Sequence, residues 1–293
     1  MAERAHQATQ AAGDPRRDAA PPPRTPRASS MRGTYAALDL GTNNCRLLIA
    51  CPTHDGFRVV DSFSRIIRLG EGVSATGCIS EAAIERAIVA LGICRDKINL
   101  RKARRLRLIA TEACRAAANS DAFLSRVADE TGITLEIIDR ETEAALAVIG
   151  CSPLLDPKGK GAILFDIGGG SSELVRIERD PADPNAKPAI RAWMSIPLGV
   201  VTLAERFGGR DVTAESYAQM VRDVAQYVAP FAAEHGADLH DMHMLGTSGT
   251  VTTLAGVHLN LARYDRRRID GVWMNGSDVT TVIQRLRDRK SVV

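Results

Sequence analysis

The sequence predicts an α/β protein built from two related domains. Three observations carry this: one stretch is written twice, strands alternate with helices after each copy, and a Pro/Gly/Lys segment separates the copies. The first copy is Tyr35-Ala-Ala-Leu-Asp39-Leu-Gly41-Thr-Asn-Asn-Cys-Arg46-Leu-Leu-Ile49. The second is Ala162-Ile-Leu-Phe-Asp166-Ile-Gly168-Gly-Gly-Ser-Ser-Glu173-Leu-Val-Arg176. Asp39 aligns with Asp166, Gly41 with Gly168 and Arg46 with Glu173. Each copy reads as a strand, a tight turn of small residues and a returning strand.

The rest of the chain follows in order. Residues 1–30 are rich in Ala, Pro and Arg and nearly devoid of large apolar side chains, which predicts a disordered tail. A first domain is expected over 31–153 and a second over 154–293. In the first, strands 34–39 and 45–51 and the run Gly56–Phe63 form a three-stranded meander. Arg68-Leu-Gly70-Glu-Gly72 reads as a flexible loop. Ser80 caps a helix to about Asn99 with Ile84, Ala87, Ile88 and Leu91 on one face. Leu106–Ala110 is a strand that delivers Thr111-Glu-Ala-Cys-Arg115. A helix from Asn119, a strand over 133–138 and a helix opened by Asp139 complete the domain. Leu154–Gly161 is the linker. The second domain repeats the meander with Ala189–Ser195 as third strand. It adds a long helix over 213–235 with Tyr217, Met220, Val221, Val224 and Val228 on one face. A strand over 241–245, the loop Gly246-Thr-Ser-Gly-Thr250, a helix from about Val251 and a last helix over 278–289 follow.

Composition excludes several classes of function. Two cores fit within 293 residues, with 45% hydrophobic and 25% charged residues. Aromatics make up 4%, too few for stacking on bases to dominate recognition, and a net charge of +3 gives no basis for a DNA partner. The six cysteines (Cys45, Cys51, Cys78, Cys94, Cys114, Cys151) form no CxxC pair and no HExxH occurs, so neither zinc nor a disulfide framework is expected. Reduced thiols in a cytoplasmic protein are the default. No run of 18 apolar residues predicts a membrane span. Arg16-Arg17 is followed by Pro and Arg rather than by an apolar stretch, so export is not expected. The basic cluster Arg101, Lys102, Arg104, Arg105 and Arg107 reads as a solvated helix end more readily than as a recruiting patch.

One Asp-x-Gly turn is weak evidence of a site, because glycine turns close hairpins everywhere. Two aligned copies and a third small-residue loop at 246–250 are stronger. Only small residues let backbone amides approach a phosphate closely. Asp39, Asp166 and Glu173 then supply oxygen donors for a divalent ion, Mg2+ or Mn2+. Arg115 lies just past a strand end, where α/β folds place ligand contacts. Glu143, in the first turn of its helix, is by itself no more than a carboxylate favoured by the helix dipole.

Together these residues resemble a known family. Asp39-Leu-Gly-Thr-Asn43, Ala110-Thr-x-x-x-Arg115-x-Ala-x-Asn119, Glu143-Ala, Asp166-Ile-Gly-Gly-Gly-Ser-Ser-Glu173 and Gly246-Thr-Ser-Gly-Thr look like the exopolyphosphatase/guanosine pentaphosphate phosphohydrolase family. The resemblance covers about residues 34–290. It implies the actin-like/Hsp70/sugar-kinase superfold, two ribonuclease-H-like domains about a cleft. It implies hydrolysis of a terminal phosphoanhydride in polyphosphate or pppGpp, with Glu143 as the catalytic carboxylate that orients and deprotonates water. It also implies phosphate binding by Arg115, and a metal and phosphate role for Asp166 and Glu173. Gly41, Thr42, Asn43, Asn44, Arg46, Gly168, Gly169, Gly170, Ser171, Gly246, Thr247 and Ser248 are the further expected phosphate contacts.

Two departures from the family pattern stand out. Ala145 occupies a position that is often Arg in the family. Relatives also continue past the point where this sequence stops, so the second domain is expected to be incompletely covered. Two other readings stay open: a non-catalytic sensor of polyphosphate or an alarmone, and an ATP-dependent small-molecule kinase of the same superfold. The expected partner is the phosphorylated substrate, with no DNA and no membrane. A homodimer is left open.

Overall fold

Both copies of the repeat fold as the first hairpin of a mixed sheet. The computed structural model describes residues 33–288, apart from 55, 181–182, 184–187 and 210. The predicted tail over 1–30 therefore lies outside the described residues. In the first lobe β1 (Tyr35–Leu40), β2 (Asn44–Thr53) and β3 (Gly56–Ile66) are antiparallel. β4 (Arg105–Ala110) and β5 (Glu136–Ile137) add in parallel, giving the order β3-β2-β1-β4-β5. The second lobe repeats this with β6 (Gly161–Ile167), β7 (Ser172–Glu178), β8 (Ala189–Ile196) and β9 (Met242–Thr247), in the order β8-β7-β6-β9. No fifth strand joins it among the described residues. Two sheets of ribonuclease-H-like order in one chain are the α/β actin-like/Hsp70/sugar-kinase superfold.

The first lobe has a thick core. After α1 (Val73–Thr76), α2 (Glu81–Leu100) starts at Ser80, whose hydroxyl accepts from the Ala83 amide. α2 buries Ile84, Ala87 and Leu91, among others, against Leu38, Leu40, Leu47 and Ile49 of the sheet. The short α3 (Glu112–Ala116) leaves β4, and α4 (Ser120–Thr131) adds Phe123 and Val127 to the same core. The strand expected over 133–138 shrinks to Glu136–Ile137, because its apolar side chains serve packing more than pairing: Ile133 and Leu135 are buried in the core while only two residues join β4.

α5 (Arg140–Cys151) leaves the first sheet yet packs on the second. The Asp139 side chain accepts from the Thr142 amide and fixes its start. Its buried residues Ala144 and Val148 join Ala162, Leu164, Val175 and Ile177.

The second lobe is more thinly covered. It carries α6 (Val200–Phe207), α7 (Ala214–His235), α8 (Ser248–His258), α9 (Arg266–Ile269) and α10 (Gly276–Asp288). Although α7 is 22 residues long, Phe231 is its one buried residue. The predicted stripe along it is only part-covered, with Val221 exposed. α8 starts at Ser248, directly off β9, instead of near Val251. Among the described residues no helix is long and apolar enough to cross a membrane.

The basic cluster sits at the wrong end of the sheet to line the cleft. Arg105 pairs with Tyr35 and Ala110 with Leu40, so five strand residues, about 16 Å, separate Arg105 from the turn end. Arg101 shares Asp61 with Lys97, Arg105 lies over the Tyr35 ring, and Arg107 faces Glu136.

Candidate active site

The two repeated turns close with the same hydrogen bond. The Gly41 amide donates to the Asn44 carbonyl at 2.9 Å, and the Gly168 amide to the Ser171 carbonyl at 2.9 Å. In each turn the carbonyls are tied down from behind. The Asn43 oxygen accepts from the Ile67 and Arg68 amides and the Thr42 oxygen from the Gly70 amide, so the 68–72 loop is pinned to the turn. In the second lobe the start of α6 does the same work: the Val200 amide donates to the Gly168 oxygen and the Val201 amide to the Gly169 oxygen. The amides of Thr42, Asn43, Gly169 and Gly170 donate no hydrogen bond to any described residue. Unpaired amides on two facing turns are groups that can receive an anion.

The turns meet almost tip to tip. A Cβ on Gly169 would stand 3.0 Å from the Thr42 Cβ, and one on Gly170 3.0 Å from its hydroxyl oxygen. Only glycine leaves room here. The lobes are also joined by the Gly72 amide, which donates to the Glu205 carboxylate at 2.8 Å.

The cleft between them is lined by Asp39, Gly41, Thr42, Asn43, Asn44, Arg46, Glu143, Asp166, Gly168, Gly169, Gly170, Ser171, Glu173 and Ser248, all expected from the sequence. Thr111 and Glu112 also line it. Strand pairing sets charges opposite each other. Asp39 faces Arg46 in the first hairpin, and Asp166 faces Glu173 in the second. Burial pushes the Asp39 carboxyl up to about 6 against the pull of Arg46. Burial also pushes Asp166 up to about 6, with the Glu143 carboxylate adding to it. Burial takes Glu173 to about 7, although hydrogen bonds from the Ser171 and Ser195 hydroxyls oppose it.

Three carboxylates held above their usual range, with one arginine for company, suit a cation. Among the described residues, no three His, Cys, Asp or Glu side chains are close enough to hold an ion by themselves. The donor set therefore fits a small, hard ion that keeps most of its waters and shares substrate oxygens, as Mg2+ does. Asp39 and Asp166 are the better donors, since Glu173 is 3% exposed and already accepts two serine hydroxyls on Oε1.

Three expected contacts fall elsewhere. Gly246 and Thr247 lie within β9, extended by parallel pairing of Phe165 with Gly246 and Asp166 with Thr247. Gly246 is a packing glycine: a Cβ there would stand 2.5 Å from the Phe165 ring. Only Ser248 of that loop reaches the cleft, where its hydroxyl donates to the Ile167 carbonyl. Arg115 lies behind the cleft wall, with Nη2 donating to Glu143 Oε2 at 2.7 Å. Sequence reasoning missed Glu112. Its spacing of three from Arg115 within one short helix was the available signal, and the two do pair at 2.9 Å.

Two such sheets with a hairpin turn from each at one cleft define an α/β protein of the actin-like superfold. Residues 48–286 match the Ppx/GppA phosphatase family, and the chain is a member of it. It is 33% identical over 265 residues to Exopolyphosphatase 2 of Mycobacterium tuberculosis, covering 86% of this chain and 79% of that one. It is 30% identical over 226 residues to the guanosine-5'-triphosphate,3'-diphosphate pyrophosphatase of Photobacterium profundum, covering 77% of this chain but only 44% of the relative. Among solved structures, the Aquifex aeolicus Ppx/GppA member matches with a TM-score of 0.68 at 27% identity, covering 88% of this chain and 79% of that one. An exopolyphosphatase-like protein matches at 0.75 and 29%, covering 86% and 77%.

Proposed function

We propose that this protein hydrolyses the terminal phosphoanhydride of inorganic polyphosphate. The observation that carries this is the convergence of four unpaired turn amides and Glu143 on one cleft. Glu143 accepts a proton from water and aligns it with the terminal phosphorus. The amides of Thr42, Asn43, Gly169 and Gly170 bind the terminal phosphate oxygens and stabilise the charge that builds there. Arg46 neutralises the next phosphate. Asp39 and Asp166 would hold Mg2+ or Mn2+, which supplies charge neutralisation on the phosphate oxygens. Phosphoryl transfer needs little beyond such positioning and charge stabilisation.

Polyphosphate is preferred over pppGpp for two reasons. The cleft wall contains no aromatic residue among the described ones, so a guanine has no stacking partner there. The exopolyphosphatase relative is also the more similar of the two, at 33% identity against 30%. The pppGpp reading persists because the same terminal bond is presented to the same turns. The test is phosphate release from polyphosphate, pppGpp and ATP side by side, with and without Mg2+. Release from polyphosphate that depends on the metal supports the proposal. Release from none of the three, with tight tripolyphosphate binding, selects the sensor alternative. ATP use that requires a small-molecule acceptor selects the kinase.

A further inference from the structure

Glu143 is held by an arginine whose three nitrogens all donate to protein acceptors already. Arg115 donates from Nε to Glu112 Oε2 at 3.0 Å, from Nη1 to the Ile138 carbonyl at 2.7 Å and from Nη2 to Glu143 Oε2 at 2.7 Å. Its side chain is 14% exposed. Glu112 is clamped in turn, because Arg140 donates from Nη2 to Oε1 at 2.7 Å and from Nε to Oε2 at 3.2 Å. The Glu112 stem also lies close to the second turn: its Cγ stands 3.2 Å from where a Cβ on Gly170 would be. Arg46 differs in every respect. It lines the cleft, it is exposed, and it makes no hydrogen bond to a described residue.

We propose that Glu112, clamped by Arg140, is a positioning residue that turns Arg115 onto Glu143, so that Arg46 and not Arg115 meets the phosphate chain. This rests on the phosphohydrolase reading above for its catalytic consequence, but the division of labour between the arginines stands on contacts alone. With Oε2 of Glu143 anchored, Oε1 is the oxygen left for water. A planar guanidinium in bidentate reach of two carboxylates holds them in one geometry. A phosphate taking the Nε–Nη2 edge of Arg115 would have to displace both carboxylates, and a part-buried partner left unpaired is costly.

The test has two arms on the full chain. In the first, Glu112→Gln lowers kcat on polyphosphate about tenfold while KM stays within about twofold, as expected for an interaction that matters only in the transition state. In an Arg115→Met background, Glu112→Gln adds no further loss, because it acts through that arginine. Arg140→Gln gives a smaller loss of the same kind and serves if thermal melting shows Glu112→Gln to be misfolded. The second arm is calorimetric binding of tripolyphosphate with Mg2+. Arg46→Met weakens it about tenfold or more, whereas Arg115→Met changes it by less than about threefold. A KM rise with unchanged kcat for Glu112→Gln, additive losses, or loss of tripolyphosphate binding in Arg115→Met overturns the proposal. If the wild-type chain releases no phosphate, the phosphohydrolase reading falls, and the calorimetric comparison by itself decides between the two arginines.

Discussion

The two lobes carry the same hairpin in the same register, yet they divide the work unequally. Opposite the first aspartate stands Arg46, and opposite the second stands Glu173. The first lobe therefore presents a cation and the second a carboxylate pair. The faces beneath the hairpins differ as well. Tyr35, Ala37, Leu48 and Ala50 align with Ala162, Leu164, Val175 and Ile177. The second set is buried under α5, while Ala37 in the first is exposed. The helix that carries Glu143 thus starts in one lobe and is seated on the other. The two hairpins close in the same way and differ in the side chain opposite each aspartate, and a crossing helix has placed Glu143 between them.

The sharpest way to break this account is at that helix. Glu143→Gln should lower kcat by about 10²–10⁴-fold with little change in KM, the range for loss of a general base. Steady-state phosphate release on polyphosphate measures it, and an unchanged kcat removes Glu143 from the chemistry.

Next comes the asymmetry of the glycine turns. A Cβ on Gly168 would stand 2.8 Å from the Ser171 oxygen, so Gly168→Ala must shift the second turn and misaim its amides. A loss of about 10–100-fold in kcat/KM is expected, of the size seen when oxyanion donors are lost. The equivalent insult in the first lobe is mild. A Cβ on Gly41 meets the Asn44 oxygen at 3.5 Å, an ordinary contact, so Gly41→Ala should stay within about threefold. Equal losses in both would show that the turns do not differ in how they are held.

A smaller effect follows from the carboxylates. Asp39 and Asp166 sit at about 6 and Glu173 at about 7, all above their ordinary values. Their protonated forms are therefore favoured by folding. The stability they contribute is complete below about pH 4 and is lost as pH rises through 6 to 7. A cation bound by the ionised forms reverses that loss. The rise in melting temperature on adding Mg2+ should thus be larger at pH 8 than at pH 5. A rise independent of pH would mean that the ion binds elsewhere.

The least dramatic expectation concerns local stability. α2 buries seven residues, whereas the longer α7 buries one. Amides of β6–β9 should therefore exchange with solvent sooner than those of β1, β2 and β4 in native-state hydrogen exchange. The reverse order would mean that the second lobe draws stability from contacts not seen in its helices.

Most of the cleft was legible in the sequence because local rules govern it. The Asp-x-Gly turns, their register and the start of α5 depend on residues within about ten positions of each other. What escaped depended on long-range placement. Gly246-Thr-Ser looks like a phosphate loop, but parallel pairing with β6 carries Gly246 and Thr247 into a strand. Arg115 reads as a phosphate ligand; its pairing with Glu112 and Glu143, and the closure of that network by Arg140, far from Glu112 in the chain, come only through the fold. The seat of α5 on the second sheet was equally invisible, since Ala144 and Val148 would suit either core.

The central claim is that both turns grip one phosphate group through their backbone amides. Its most direct test is an amide NMR titration of the Glu143→Gln protein with tripolyphosphate and Mg2+. The account predicts that Thr42, Asn43, Gly169 and Gly170 shift together along a single binding curve. Shifts confined to one turn, or two curves with different midpoints, would contradict it.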